Sequence, residues 1–435
     1  MLTILGFSMI AVFMFLIITN RMSALVALVA IPILFALVGG FGLEIGSMML
    51  EGVKSVAPTG VMLMFAILYF GIMIDAGLFD PLISKILKIV KGDPLKIVIG
   101  TAVLAMLVAL DGDGTTTYII TVSAMLPLYQ RLGMNPLILT CMAMLGFGIM
   151  NMTPWGGPTA RAVSALHLDV GEVFTPLIPV MAGDILWILF TAYILGKKER
   201  KRLGIVELEY SSNELKALQE QAATIESDEI KRPKLLWFNL LLTVALLVGL
   251  VMSVMPLPVL FMIAFVIALM FNYPKLSEQK ERIKSHAGNV LAVVSLVFAS
   301  GIFTGILSGT KMVDAMANSL VSIIPESWGP YFSVITAITS IPFTYFMAND
   351  PYYFGVLPII AKTAAAYGID AAQIARASVL GQPVHAMSPL MASAYLLVGM
   401  VGVEFGEHQR FIFKWALGSS FVMIVVALLL GVISF

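Results

Sequence analysis

Two carboxylates, two glycines and three hydroxyls interrupt an apolar run at Leu110-Asp111-Gly112-Asp113-Gly114-Thr115-Thr116-Thr117-Tyr118. Val98 to Leu110 before it and Ile119 to Leu128 after it are mostly apolar. At membrane depth, ionisable side chains and non-helical backbone survive only where protein buries them or where they line a cavity. The stretch is therefore expected to be the tip of a re-entrant helical hairpin that touches a solute, the alternative being an extramembrane turn capped by Asp. Gly112 and Gly114 permit close backbone approach. Asp113 offers a charge, and Thr115 and Thr116 can bond a ligand or cap the following helix.

Three further interruptions have the same character. In Asn151-Met152-Thr153-Pro154-Trp155-Gly156-Gly157-Pro158-Thr159-Ala160-Arg161, two prolines and two glycines break one apolar span. Unwinding there frees backbone amides and the positive end of the next half-helix, which suit carboxylate oxygens. Asn151, Thr153, Pro154, Gly156 and Gly157 are candidates for that contact. Arg161 can pair with an anion bidentately or extend to the outer interface. Met347-Ala348-Asn349-Asp350-Pro351-Tyr352-Tyr353 places Asn349 and Asp350 at a second tip, with Pro351 suited to a first helical turn. Finally, Gly381-Gln382-Pro383-Val384-His385-Ala386-Met387-Ser388-Pro389 brings Gln382, His385 and Ser388 to a proline-broken span. An imidazole there suits proton relay or a plain core hydrogen bond. Scattered oxygens are hard donors, matched to Mg²⁺ or Ca²⁺ rather than Zn²⁺. Several carboxylates around an anion make sense if the solute arrives with a cation, or if one carboxylate is protonated. Asp113 and Asp350 are the candidates for both roles, as metal contacts through water and as proton carriers, with His385 a third proton carrier.

The elements that must hold these points are membrane helices. Of 435 residues, 59% are hydrophobic and 12% charged, where a soluble domain carries about 25% charged residues. The mean hydropathy is +0.97. Zero net charge argues against a nucleic-acid partner, and the single cysteine, Cys141, provides no disulfide framework. Leu2–Thr19 lacks a basic leader and a small-residue cleavage site, so it reads as a first helix rather than a signal peptide.

Apolar runs long enough to span fall at 2–19, 22–38, 57–77, 136–158, 174–196, 236–253, 258–272, 288–308, 374–401 and 411–434. Regions 97–130 and 330–366 are broken centrally and read as the two hairpins. With both hairpins non-crossing, 21 of the 26 basic residues fall on one side, which makes that side cytoplasmic, with both termini outside. The charged 197–235 segment then becomes a cytoplasmic linker, with an amphipathic helix expected around Asn213–Thr224.

The flanking halves, 1–196 and 236–435, repeat one another at low resolution. Asp113 is matched by Asp350 at an offset of 237, and Gly146…Thr153-Pro154 by Gly381…Ser388-Pro389 at 235. Phe70-Gly71-Ile72-Met73-Ile74-Asp75 is matched by Ser300-Gly301-Ile302-Phe303-Thr304-Gly305 at 230. Five crossings per half invert the second repeat relative to the first. Inverted repeats with paired broken helices point to a secondary transporter with a midplane site.

Over its whole length the chain resembles the citrate–divalent-metal–proton symporter family of the ion transporter superfamily. The resemblance rests on Leu110-Asp111-Gly112-Asp113-Gly114, Pro154-Trp155-Gly156-Gly157-Pro158-Thr159-Ala160-Arg161, Ala348-Asn349-Asp350, Gly381-Gln382-Pro383-Val384-His385, and Tyr395-Leu396-Leu397-Val398-Gly399 followed by Val403-Glu404-Phe405-Gly406. It implies an all-α membrane protein with two inverted repeats, about ten crossing helices and two re-entrant hairpins. Further implications are a dimerising scaffold domain, an elevator-type transport domain and a bacterial-type plasma membrane location. The implied activity is import of citrate as a complex with a divalent ion, coupled to protons. No cofactor is bound permanently on this reading; Mg²⁺ or Ca²⁺ travels with the cargo. Sodium-coupled carboxylate carriers of the superfamily use Ser-Asn-Thr tips. Here Gly112-Asp113-Gly114-Thr115 and Ala348-Asn349-Asp350-Pro351 stand in those places, favouring titratable carboxylates over sodium. Competing readings are a free di- or tricarboxylate carrier, a cation/proton antiporter of the same fold, a channel, and an intramembrane Mg²⁺-dependent prenyl transferase.

Overall fold

The computed structural model describes residues 1–19, 21–90, 92–205, 230–252 and 254–434; the expected helix at Asn213–Thr224 lies outside the described residues. The described residues form helices and turns, without a strand. Six helical stretches are long and apolar enough to cross a membrane: Ile45–Asp75, Pro94–Asp111, Val170–Leu203, Pro233–Leu250, Leu276–Gly309 and Phe405–Leu429. Five shorter apolar helices stand beside them, Leu2–Ile17, Ala24–Val38, Pro136–Met150, Leu257–Asn272 and Ala392–Val401. Leu34, Leu186, Phe190, Leu241, Leu291 and Phe421 are exposed on these helices, more apolar surface than a water-soluble monomer carries. Lipid is the solvent that such surfaces fit.

The two longest helices, Ile45–Asp75 and Leu276–Gly309, pack along each other. Their contact is backbone against backbone. A Cβ added at Gly52 would lie 1.9 Å from the Gly301 carbonyl oxygen, and one added at Gly305 would lie 2.4 Å from that of Met48. Small residues four apart, Gly301 and Gly305, provide the close approach that lets dispersion forces hold helices together where water exclusion cannot. Both helices begin 12 residues before the apolar runs expected at 57–77 and 288–308. Their polar leading turns, with Glu51, Lys54, Glu278 and Lys280, continue the helix beyond the apolar stretch.

Each hairpin has two arms. In the first, Pro94–Val108 packs on Gly114–Leu132; in the second, Phe332–Phe346 packs on Leu357–Ala365. The span expected at 136–158 is helical over Pro136–Met150, breaks, and restarts at Gly157–Leu166. The span at 374–401 is divided into Ala371–Val379, Gln382–His385 and Ala392–Val401. Pro136 begins its helix behind an Asn135 cap, whose Oδ1 accepts the Leu137 N–H at 2.9 Å. Asp93 caps Pro94–Val108 in the same way, accepting the Leu95 N–H at 3.0 Å. The helix Ile178–Leu203 runs past residue 197, so the linker expected from that residue begins as a continuation of the helix.

Candidate functional site

The first hairpin tip turns on Gly112, whose φ of 81° lies in the left-handed region that a Cβ disfavours. Asp113 then caps the returning arm. Its Oδ2 accepts the Thr116 N–H at 2.8 Å and the Thr116 hydroxyl at 2.7 Å, satisfying donors that a helix start leaves open. Asp111 Oδ1 accepts the Asp113 N–H at 2.9 Å, and the Thr117 hydroxyl donates to the Asp113 carbonyl at 2.7 Å. The hydroxyls of Thr116 and Thr117 therefore serve the local turn, while Thr115 is exposed.

The break after Met150 is built on Asn151, whose Oδ1 accepts the Gly157 N–H at 3.1 Å and so closes the unwound segment. Gly156 is packed into that turn; a Cβ there would lie 1.9 Å from the Asn151 carbonyl oxygen. The Trp155 indole N–H donates to the Leu110 carbonyl at 2.6 Å, tying this break to the first tip. From the restarted helix, Arg161 Nε reaches Asp350 Oδ1 at 2.6 Å, and its Nη1 donates to the Gly157 carbonyl at 3.1 Å. The Arg161 and Asp350 side chains keep 23% and 15% of their surface open. The pair is thus reachable from a cavity rather than sealed in a core.

On the opposite side, Met347 to Asp350 leads into a wide π-type turn over Pro351–Val356, a backbone form frequent at functional sites. The Gln382 amide donates to Asn349 Oδ1 at 3.3 Å and to the Tyr353 hydroxyl at 2.9 Å. His385 Nδ1–H donates to the Thr344 carbonyl at 2.5 Å, and the Ser388 hydroxyl to the Tyr345 carbonyl at 2.7 Å. The second tip and second break are tied together, as the first pair is.

Both tips and both breaks open onto one cavity of about 660 Å³, within the range of roughly 300–1,000 Å³ typical of small-molecule sites. Of the residues expected from sequence, Gly112, Asp113, Gly114, Thr115, Thr116, Asn151, Gly157, Arg161, Asn349, Asp350 and His385 line it. Thr153, Pro154, Gly156, Gln382 and Ser388 are buried behind that lining. Among them, the Thr153 hydroxyl and Gln382 Oε1 have no hydrogen-bond partner among the described residues.

Asp75, His286 and Asn289 also line the cavity and were not among the expected site residues, Asp75 having entered only as the end of a repeated segment. Asp75 ends a long helix, and His286 follows a charged stretch that reads as solvated. Their meeting across 211 positions left no local signal. No group of three or more His, Cys, Asp or Glu capable of holding a metal occurs among the described residues. What the cavity offers instead is a guanidinium, several carboxylates, amides and hydroxyls around a volume that suits a small molecule.

A family profile described as "Citrate transporter" matches residues 13–381. The chain belongs to the citrate transporter family. Over its full length it is 65% identical to a Bacillus subtilis citrate transporter that it also covers in full. It is 60% identical over 435 residues to a Mg(2+)/citrate complex secondary transporter of the same organism, covering 99% of that protein. Among solved structures, the Alcanivorax borkumensis YdaH transporter is similar in fold at a TM-score of 0.62 and 13% identity, over 90% of this chain and 88% of that one. Neisseria gonorrhoeae MtrF gives a TM-score of 0.61 at 13% identity, over 90% and 84%. This member of the citrate transporter family is a multi-pass membrane transporter and not an enzyme, so the prenyl transferase reading falls.

Proposed function

We propose that this protein imports citrate as a 1:1 complex with a divalent metal ion, Mg²⁺ or Ca²⁺, together with protons, across the plasma membrane. The observation that carries the reading is the convergence of both hairpin tips, Arg161 and the restarted helix at Gly157 on one cavity. Citrate holding one divalent ion carries a single negative charge, far cheaper to take out of water than the free trianion. The positive end of the 10-residue helix that begins at Gly157 and the Arg161 guanidinium would receive its carboxylates.

The metal arrives as part of the cargo, with citrate and water as its ligands. Asp113 and Asp350 reach it through its hydration shell. A relative that is 60% identical and named for the Mg(2+)/citrate complex supports the choice of cargo. Proton coupling is assigned to Asp113, Asp350 and His385, the titratable groups at the tips and the second break.

The matching order of long helix, hairpin and broken helix in residues 1–196 and 236–435 supports two inverted repeats, with ten crossings and two non-crossing hairpins. On that plan the paired long helices belong to a scaffold that dimerises, and the hairpins to a transport domain that moves as an elevator.

The deciding experiment is uptake of radiolabelled citrate into proteoliposomes across a panel of divalent ions, with and without chelator. Uptake that requires Mg²⁺ or Ca²⁺ and follows the concentration of the complex is expected. Metal-free citrate moving as fast as the complex would refute the proposal and favour the free-carboxylate carrier.

A further inference from the structure

The two long helices also line the cavity, and they carry a polar cluster there. Asp75, 1% exposed, ends the helix Ile45–Asp75. Its Oδ2 accepts from His286 Nε2 at 2.8 Å and from Arg282 Nη1 at 3.3 Å. Arg282 and His286 stand one turn apart on Leu276–Gly309. Asp75 and His286 line the cavity. The imidazole lies flat on Gly71, where a Cβ would come within 2.7 Å of His286 Nδ1, so the ring fits because residue 71 has no side chain. The equivalent stretch of the second half, Ser300 to Gly305, carries no carboxylate. The cluster therefore has no counterpart in that stretch.

Charge balance says what such a cluster can do. Arg282 also lies 3.5 Å from Glu281, whose side chain is 72% exposed. Across the cavity the charged or titratable groups are Asp111, Asp113, His385 and the Arg161–Asp350 pair. Asp75 pairs with both Arg282 and His286, and Asp350 pairs with Arg161. Protonation of His286 adds one positive charge to the long-helix wall. Imidazole takes up and releases a proton at a ring nitrogen, which suits it to proton relay. A cargo bearing one negative charge binds more tightly when that proton is present. By reciprocity, the cargo raises the affinity for the proton by the same factor.

We propose that the Asp75–His286 pair is a proton site in the long-helix wall, separate from the groups that hold the cargo, and that its proton travels with the metal–citrate complex. The inference rests on the proton-symport reading above and assigns one of its protons to a place that reading does not use.

The test is the pH dependence of KM for Mg²⁺–citrate uptake by the full chain in proteoliposomes. A required proton makes KM rise about tenfold per pH unit above the site's titration range. His286→Gln is expected to remove one such power of ten per unit, with KM held near its high-pH value. His286→Lys, with a fixed charge beside Asp75, is expected to flatten the same slope near the low-pH value. A merely structural role would shift both variants in one direction. Should His286→Gln fail to reach the membrane, Gly71→Ala, which displaces the ring and leaves its chemistry intact, is expected to flatten the slope as well. A wild-type slope in these variants overturns the proposal. A wild-type protein whose KM is independent of pH, and whose uptake moves no protons, overturns the symport reading itself.

Discussion

Replacing Gly52 by alanine inserts one methyl group where the two long helices meet backbone to backbone. The added carbon would stand 1.9 Å from the Gly301 carbonyl oxygen and 2.9 Å from the Gly305 Cα, against 3.4 Å or more in ordinary contact. The long helices must therefore separate locally by roughly 1 Å or more. A gap of 0.5–1 Å already forfeits about a quarter to a half of the dispersion well of each facing atom pair. Overpacking of this kind costs about 1–3 kcal/mol, and occasionally more, while alanine returns at most about 1 kcal/mol of helix propensity. Near the upper end of that range, Gly52→Ala loses about 2 kcal/mol net. Gly288→Ala, on the same helix pair but with no atom within 4 Å of the new carbon, keeps the propensity gain of about 1 kcal/mol. The two variants should thus lie about 3 kcal/mol apart. Thermal unfolding of the detergent-solubilised protein, read by the loss of its monodisperse size-exclusion peak, measures the order. Equal melting, or a Gly52→Ala protein more stable than Gly288→Ala, would refute the claim that these backbones touch.

Three other outcomes are expected. Asp113→Asn should abolish concentrative citrate uptake while leaving the protein folded, because asparagine caps a helix about as well as aspartate; normal uptake by this variant would remove the Asp113 charge from the mechanism. Arg161→Gln should cut uptake by at least about tenfold by leaving Asp350 without its 2.6 Å partner, and Arg161→Gln with Asp350→Asn should recover thermal stability but not transport, as a double-mutant cycle would show. Asp93, just ahead of the span Pro94–Asp111, supplies a pH test: burial opposes its charge, yet the paired Arg200 guanidinium and the Leu95 N–H hold its carboxyl below the ordinary value. A carboxyl depressed in the folded state stabilises above its unfolded pKa of about 3.9 and loses that contribution as pH falls through the folded value. The stability gap between wild type and Asp93→Asn should therefore hold from neutrality to about pH 5 and close on further acidification; a gap unchanged in acid would argue against the pairing.

The tips and breaks were legible because their signal is local. Charge, glycine and proline inside apolar runs cannot be accommodated in a regular lipid-facing helix, so Gly112, Asp113, Asn151, Asp350 and His385 stand out in the sequence before any partner is known. Helix starts were harder to read. Residues 45–56 and 276–287 are polar enough to resemble loops, yet they extend helices past the apolar runs, where hydropathy carries no information. Which candidates face the cavity and which support it was also beyond the sequence: Gln382 and Ser388 differ little in type from residues that line it, but their hydrogen bonds turn them toward Asn349 and Tyr345. Asp75 and His286 were missed for the plainest reason. Their significance lies in each other, 211 positions apart.

The tie from the Trp155 indole to the Leu110 carbonyl has a mechanical consequence. With His385 and Ser388 bonded to the first arm of the second hairpin, the four interrupted segments form two hydrogen-bonded pairs, and the Arg161–Asp350 contact reaches from one to the other. On the proposed function, a passenger presenting both a carboxylate and a cation would carry a substitute for each side of that contact, so loading would also part the two pairs.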